Sequence, residues 1–369
     1  MANARILSKS AEYGIIRQPV TTGAATAYHC GGGNDESWDN YPTATTNFRR
    51  VAYNADSVLF DPGITIDQYE SSGQFGIHDE SAHFFVDKLS GLPTMTFAMP
   101  ADKFTLAPHL IGALGAVTEN AGTPYSKSIT CAGLTGPVDF TADGWPLHAV
   151  SMTDTGGSGT DGKWIENCII QDLTLEFDFM ASGIARLAQL SGTWVGTEIN
   201  LDQTMSGTMV DTTLTPYNNT DLYSFSTFTV DSVGWTTLSF RKFSLTVNNN
   251  VTKDAVTTAG RCDQFRIAPE YTSTIILDYD TISAKVMADY QQGADVVIVF
   301  TGSTTATLDG GLSIAGPAGK LMSPPEIYEG EYKGVQLDVK WYANSAASAA
   351  ATPLTIVMTD TQDWAYGDL

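Results

Sequence analysis

The chain has 369 residues, of which 43% are hydrophobic, and its 41 acidic and 19 basic side chains leave a formal net charge of −22. This length and apolar content are sufficient for a sizeable buried core, so the sequence is not that of a disordered acidic tail. The excess of carboxylates excludes nucleic-acid binding through a basic surface, because such binding neutralises phosphates with lysine and arginine.

Membrane and secretion signals are missing from the sequence itself. No apolar run approaches the roughly 18–20 residues that span a bilayer, and the opening MANARILSKS lacks the apolar stretch of a secretory signal. We therefore expect a protein that is made in the cytosol and has no membrane partner. The cysteines are too far apart for a CxxC metal site, and we expect scattered, reduced core thiols at Cys30, Cys131, Cys168 and Cys262.

Short segments that alternate apolar and polar residues make up most of the chain, and clusters of Gly, Asn, Asp and Ser separate them. This pattern predicts antiparallel sheets. Within 168–179, Leu173, Leu175 and Phe177 alternate with Thr174 and Glu176, which indicates a strand with one buried and one wet face. The clearest predicted strands are 64–69, 93–99, 168–179, 243–249, 273–279, 294–300, 333–341 and 352–358.

Two segments, 102–115 and 280–293, have the spacing of an amphipathic helix instead. Each begins at an aspartate that can cap it and ends at a glycine that can close it. Asp102 and Asp280 are 178 positions apart, and so are Gly115 and Gly293.

The order strand, polar loop, strand, helix, strands thus occurs twice, which favours a diverged duplication. The predicted units are 1–203 and 204–369, with the boundary near the polar stretch 201–221. The alternative is that two β-rich halves each contain one amphipathic helix by chance.

Sequence motifs for catalysis are lacking. His78 and His83 lie five positions apart, whereas a zinc peptidase helix needs histidines four apart. Glu176 and Asp178 alternate with apolar residues on a strand, so a solvated sheet face explains them without a glycosidase. We expect no enzyme activity, no catalytic residues, no cofactor and no metal ion.

Several segments, in this order along the chain, resemble the tail tube proteins (major tail proteins) of long-tailed bacteriophages of the siphovirus type. They are AEYGIIRQPVTTGAATAY, LIGALG, QDLTLEFDF, LSGTWVG, FSLTVNNNVTKD and ISAKVMADY. The resemblance implies a mainly β chain with two tandem antiparallel β-sandwich or barrel units, each with one flanking helix at 102–115 or 280–293. The length and the apparent duplication depart from the commoner single-unit members of the family.

The resemblance also implies a function. Tail tube subunits are structural virion proteins that self-assemble into stacked rings, and the resulting hollow tube conducts DNA into the host. A chain with two units is expected to form rings of three chains with pseudo-sixfold symmetry, and rings of six chains are the alternative. The implied location is the virion tail after assembly in the host cytoplasm. The implied partners are further copies of the chain, the tape measure protein and the tail terminator and tip proteins, and genomic DNA would pass through without stable binding.

By the same resemblance, the polar loops 70–92 and 248–270 are assigned to contacts between rings or subunits. The candidate contact residues are Phe75, Phe84, Phe85, Asn248, Asn249 and Asn250. The candidate acidic residues lining the channel are Asp67, Glu70, Asp79 and Glu80. The alternative is that both loops are surface segments with no partner.

Two other classes of protein fit parts of the pattern. Another ring-forming tail or baseplate component would share the fold but form a single closed ring. A β-sandwich enzyme or binding module acting on carbohydrate could use the 7 tryptophans and 15 tyrosines as sugar platforms, although these are spread along the chain.

Overall fold

The computed structural model describes the chain in segments. These are residues 11–17, 47–54, 57–63, 65–68, 84–87, 91–103, 105–120, 125–132, 138–139, 148–154, 162–183, 187–203, 208–210, 216–217, 223–230, 233–234, 238–256, 262–266, 268–279, 295–302, 311–323, 326–329, 333–343 and 352–360.

The described residues form one α-helix and many strands, so the fold is mainly β, as predicted. In chain order the elements are β1 (Ala11–Arg17), β2 (Asn47–Val51), β3 (Leu59–Asp61), β4 (Thr65–Gln68), β5 (Phe84–Asp87), β6 (Thr94–Pro100), α1 (Leu106–Leu114), β7 (Gly115–Asn120), β8 (Tyr125–Cys131), β9 (Val138–Asp139), β10 (His148–Asp154), β11 (Gly162–Asp178), β12 (Gln189–Val195), β13 (Glu198–Gln203), β14 (Thr208–Val210), β15 (Tyr223–Val230), β16 (Val233–Gly234), β17 (Phe240–Asn248), β18 (Val251–Val256), β19 (Cys262–Arg266), β20 (Glu270–Asp278), β21 (Asp295–Gly302), β22 (Gly311–Leu321), β23 (Glu326–Glu329), β24 (Lys333–Trp341) and β25 (Thr355–Asp360).

One antiparallel array, which we call sheet I, runs through eight strands. Their order is β3, β6, β12, the C-terminal part of β11, β17, β20, β24 and β23. Buried and partly buried residues alternate along β6, as expected for a strand with one face in the core.

A second array, sheet II, has the order β16, β15, β21, β22, β25, β8 and β7. Strand β22 joins the two sheets, because its N-terminal part pairs with β25 and its last residues pair with β24. A third array, sheet III, contains β14, β2, β1, β10, the N-terminal part of β11 and β13. The long strand β11 therefore belongs to two sheets.

Sheets I and II pack face to face through aromatic side chains. The rings of Phe243 on β17 and Phe300 on β21 are stacked with centroids 4.4 Å apart. Phe177 on β11 contacts Phe300 and Tyr223 on β15, with centroid distances of 5.2 Å for both pairs. These contacts are the centre of a hydrophobic core that draws residues from both halves of the chain.

Helix α1 lies within the predicted segment 102–115 but is shorter, and all nine of its residues are buried. The helix begins at Leu106. Just before it, the carboxylate of Asp102 accepts a hydrogen bond from the Thr105 amide at 3.3 Å. Gly115 ends the helix with a φ of 90°, the left-handed conformation that suits glycine. Gly115 thus closes the helix as predicted, whereas the N-cap residue is Thr105 and not Asp102, and the Thr105 side chain makes no capping hydrogen bond. Burial on every side replaces the expected amphipathic exposure.

All eight predicted strands are present, and seven of them have bounds within three residues of the prediction, whereas β11 begins six residues earlier than predicted, at Gly162. The predicted helix 280–293 lies outside the described residues. Segment 248–270 was expected to be a long polar loop, but it holds β18 and β19, which form a hairpin. Among the described residues, no helix is long and apolar enough to cross a membrane.

The division into units 1–203 and 204–369 stays a prediction. In the structure the two segments share sheet I, because β11 and β17 are hydrogen-bonded neighbours over seven residue pairs. They also share the hydrophobic core.

Candidate functional site

The face of sheet I that points away from the core is polar, and we call it the polar face. The strand registers align its residues in rows that run across the sheet: one row contains Thr96, Thr193, Asp172 and Asn248. A neighbouring row contains Ala98, Ser191, Thr174, Thr246, Thr272 and Lys340. These side chains are partly exposed, in contrast to the buried residues that alternate with them.

Carboxylates outnumber cations on the polar face. The acidic side chains are Asp61, Asp172, Glu176, Asp178, Glu270, Asp278 and Asp338, and the basic ones are Arg241, Lys242 and Lys340. The surplus of negative charge gives this face a potential that repels phosphate.

Each of these cations is engaged by a carboxylate of the same face. Nζ of Lys242 lies 2.8 Å from Glu176 Oε2, and Nζ of Lys340 lies 2.6 Å from Glu270 Oε1. The Arg241 guanidinium pairs with Asp278. The bond to Glu270 raises the pKa of Lys340, so this ammonium stays charged. Ion pairs of this exposed kind add little to the stability of the fold, but they neutralise the positive charges on the polar face.

Hydroxyl groups fill the space between the charges. The hydroxyls of Thr174 and Thr246 lie 3.3 Å apart across β11 and β17. On the other side of β17, the Thr274 hydroxyl donates to Asp338 Oδ1 at 2.7 Å. Cross-strand contacts of this kind hold the register of the sheet while leaving a surface of hydroxyls and carboxylates.

Asp172 is the acid on this face whose titration is displaced. Partial burial raises the pKa of its carboxyl group, and a hydrogen bond with Thr193 partly offsets that rise. Asn248, the partner of Asp172 in β17, pairs in turn with Glu270 in β20, so the row that contains Asp172 carries two carboxylates.

Each side of sheet I ends in a short strand whose outer edge is unpaired within the described residues, although the C-terminal part of β24 pairs with β22 beside β23. At one edge, β3 pairs with β6 and with no other described strand. At the other edge, β23 pairs with β24 alone. Leu59 on β3 is 64% exposed, the highest exposure of any large hydrophobic side chain in the described residues. Unpaired strand edges invite pairing with another chain.

Two β-hairpins leave sheet I at matching places. Strands β4 and β5 form a hairpin between β3 and β6, and β18 and β19 form one between β17 and β20. The second hairpin also pairs through β19 with β9, which comes from the first half of the chain. Both hairpins fall in or beside the segments that the sequence assigned to contacts between subunits.

Asn249 anchors the second hairpin from inside the fold. It is fully buried, and its side-chain amide donates to Ala113 O at 2.8 Å and to Ile170 O at 2.7 Å. Its backbone amide donates to Gln171 O at 2.7 Å. Asn249 therefore presents no surface to a neighbouring subunit, which removes it from the predicted contact set. Its role is to join the end of β17 to β11 and α1.

The other predicted residues are placed as follows. Asn248 is partly buried at the end of the polar face, and Asn250 is exposed with a φ of 46°. Asp67 lies in β4 at the register position of Phe85 in β5, and Phe84 pairs with Gln68. Four of the predicted residues lie outside the described part of the chain: Glu70, Phe75, Asp79 and Glu80.

The acidic residues that the structure brings together differ from the predicted channel set. They lie on the strands of sheet I, whereas the predicted acids belong to or flank the β4 and β5 hairpin. The alternation of polar and apolar residues in 168–179, 273–279 and 333–341 was the sequence feature that indicates an exposed strand face carrying these acids. Within the described residues, no group of three or more His, Cys, Asp or Glu side chains is arranged to hold a metal ion.

Comparison of the sequence with protein-family models and with curated proteins finds no match.

Proposed function

We propose that the protein is a structural subunit of a hollow tube, the tail tube of a long-tailed bacteriophage, with no catalytic role. The observation that carries the proposal is sheet I. One of its faces packs on sheet II, the other is polar and rich in carboxylates, and in the part of the chain that the structure describes the outer edges of β3 and β23 are unpaired. A sheet with these features is suited to line a channel that is built from several copies.

The polar face fits a channel for DNA better than it fits a binding site for DNA. Retention of a phosphate backbone requires lysine and arginine that release counterions. Here Lys242 and Lys340 are held by Glu176 and Glu270, so their charges are offset before any DNA arrives. The remaining carboxylates repel phosphate at short range, which would let DNA pass without sticking.

The repeated hairpins support an assembly of stacked rings. They leave sheet I from the same position in each half of the chain, so that a ring would carry them at regular intervals. In this proposal the chain forms rings of three copies with pseudo-sixfold symmetry, with rings of six as the alternative. The tube would be assembled in the host cytoplasm, would reside in the virion tail, and would meet the tape measure and the tail terminator and tip proteins.

Negative-stain electron microscopy of the purified full-length protein tests the proposal. We expect tubes of uniform width with a regular ring repeat along the axis. Single closed rings that do not stack would instead indicate another ring-forming tail or baseplate component. Monomers that form neither rings nor tubes at any concentration would contradict the proposal.

A further inference from the structure

We infer that the β3 edge of one chain pairs antiparallel with the β23 edge of the next copy, with Leu59 opposite Tyr328. This inference rests on the proposed function, because it concerns how the copies in one ring are joined. It adds the strands, their direction and their register. The evidence is a junction of the same kind that already exists inside each chain.

Sheet I consists of two sets of four strands with the same arrangement. In the order β3, β6, β12, β11, the first two strands are linked by a hairpin and the last two are consecutive in the chain. The order β17, β20, β24, β23 repeats this pattern. The last strand of the first set, β11, pairs with the first strand of the second set, β17.

The two open edges are the counterparts of that internal junction. The free strand β23 corresponds to β11, and the free strand β3 corresponds to β17. A head-to-tail contact between β23 and β3 of the next copy would therefore repeat the pairing of β11 with β17. Contacts of this heterologous kind close into a ring when the rotation between copies allows it.

The internal junction also gives the register. Thr96 in β6 corresponds to Thr274 in β20, at the same offset that relates the two predicted helices. Thr96 pairs with Leu59, and Thr274 pairs with Ser244, so Leu59 corresponds to Ser244.

The same reasoning applies to the other edge. Gln189 in β12 corresponds to Gly334 in β24, since each lies opposite the matching residue of β6 or β20. Gln189 pairs with Glu176, and Gly334 pairs with Tyr328, so Tyr328 corresponds to Glu176. Because Glu176 and Ser244 are partners in the internal junction, Tyr328 and Leu59 become partners between chains.

This register gives the exposed apolar residue of β3 an apolar neighbour. Leu59 is 64% exposed in the single chain and would lie opposite Tyr328. Phe60, the next residue, would lie opposite Ile327. Pairs of aromatic and aliphatic residues directly across two strands stabilise a sheet.

One pair in the register opposes association. Asp61 would lie opposite Glu326, and like charges at opposed positions weaken strand pairing. The junction should therefore respond to the charge at position 61, which provides a second test.

Disulfide crosslinking in assembled protein tests the register. The double variant Leu59→Cys with Tyr328→Cys should give covalent oligomers on a non-reducing gel, with a ladder that ends at the ring number, three in the proposed assembly. The matched control, Leu59→Cys with Ile327→Cys, shifts one partner by a residue and should crosslink several-fold less. Glu176→Cys with Ser244→Cys marks the equivalent bond within one chain and should leave the protein monomeric on the gel.

Adding Asp61→Lys to the Leu59→Cys and Tyr328→Cys variant should raise the crosslinked fraction, since lysine would then face Glu326. Tubes that form but show no more crosslinking for Leu59 with Tyr328 than for Leu59 with Ile327 would overturn the register while leaving the proposed function intact. Protein that forms no rings or tubes would remove the proposed function itself.

Discussion

His109 is the centre of a buried chain of hydrogen bonds that joins helix α1 to sheets I and III. Trp194 Nε1 donates to the Tyr13 hydroxyl at 2.9 Å, and that hydroxyl lies 2.9 Å from His109 Nε2. His109 Nδ1 lies 2.6 Å from the carbonyl oxygen of Thr105. The carbonyl can only accept, so the neutral ring carries its proton on Nδ1 and accepts at Nε2 from Tyr13. The ring nitrogens of His109, the Tyr13 hydroxyl and the Trp194 Nε1 thus all have hydrogen-bond partners, and none of the three side chains needs to be charged.

This arrangement makes the subunit sensitive to acid. Burial lowers the pKa of His109 to about 4, whereas an unfolded histidine titrates near 6.5. The unfolded chain therefore binds more protons between these values, so stability is fully present above about pH 6.5 and falls as the pH drops towards 4. Between about pH 6.5 and pH 4 the free energy of unfolding should fall by about 3 kcal/mol, because the loss is proportional to the difference between the two pKa values.

Urea unfolding of unassembled subunits at a series of pH values would measure this effect. The variant His109→Leu should be less stable at pH 7 but should lose less of its remaining stability between pH 6.5 and 4.5. Equal pH slopes for the two proteins would show that His109 does not cause the acid sensitivity.

Among the elements, the strands were the most predictable from sequence and the connections the least. Alternation along most of β11, β17 and β20 shows which residues are buried, because one face of sheet I meets the core. The exceptions are Ser244 and Ile276, which are buried although their register places them on the polar face. The β18 and β19 hairpin was not predicted, because its sequence is polar and lacks the regular apolar alternation that indicates a strand packed on a core. Its position depends on Asn249, whose partners Ala113 and Ile170 are distant in the chain.

The candidate site was predictable in part for the same reason. The sequence identified Glu176 and Asp178 as a wet strand face, and the structure places both on the polar face. That this face combines acids from β11, β20 and β24 follows from the pairing order of sheet I. Local periodicity does not show which distant strands pair, so the channel acids were expected in and beside the polar loop 70–92 instead.

In the connection between β17 and the β18 and β19 hairpin, we expect substitution of Asn249 to lower the free energy of unfolding most. In Asn249→Ala, the carbonyls of Ala113 and Ile170 lose their donor, and burial of such groups without a partner costs about 1–3 kcal/mol. Asn249→Asp should cost more, because a buried carboxylate would face two carbonyl oxygens. Thermal or urea unfolding would measure both variants.

The neighbouring Asn250 provides the control for this prediction. It is exposed and has a φ of 46°, a conformation that glycine adopts without strain. Asn250→Gly removes one exposed hydrogen bond, from Asn250 Nδ2 to Ala268 O at 2.8 Å, so it should change the unfolding free energy by no more than about 1 kcal/mol. A similar loss of stability in Asn249→Ala and Asn250→Gly would show that the buried amide is not the anchor.

At the scale of the whole molecule, the proposal depends on where the charge lies and not only on its sum of −22. An acidic chain could carry its carboxylates anywhere, but a channel lining requires them on the face that meets DNA. Thr174 lies near the middle of the polar face, one position along the same face from both Asp172 and Glu176. In a tube, a lysine introduced there would be repeated in every ring along the channel.

We therefore expect Thr174→Lys to leave tube width and ring repeat unchanged while making the tubes retain short double-stranded DNA at low salt. The retained fraction should fall steeply as salt is raised, since phosphate contacts release counterions. Thr174→Gln should retain no DNA, because it changes the size of the side chain without adding charge. Thr118→Lys, at an exposed position of β7 in sheet II, tests whether location matters. If Thr118→Lys and Thr174→Lys bind DNA equally well, the polar face has no special access to DNA and does not line the channel.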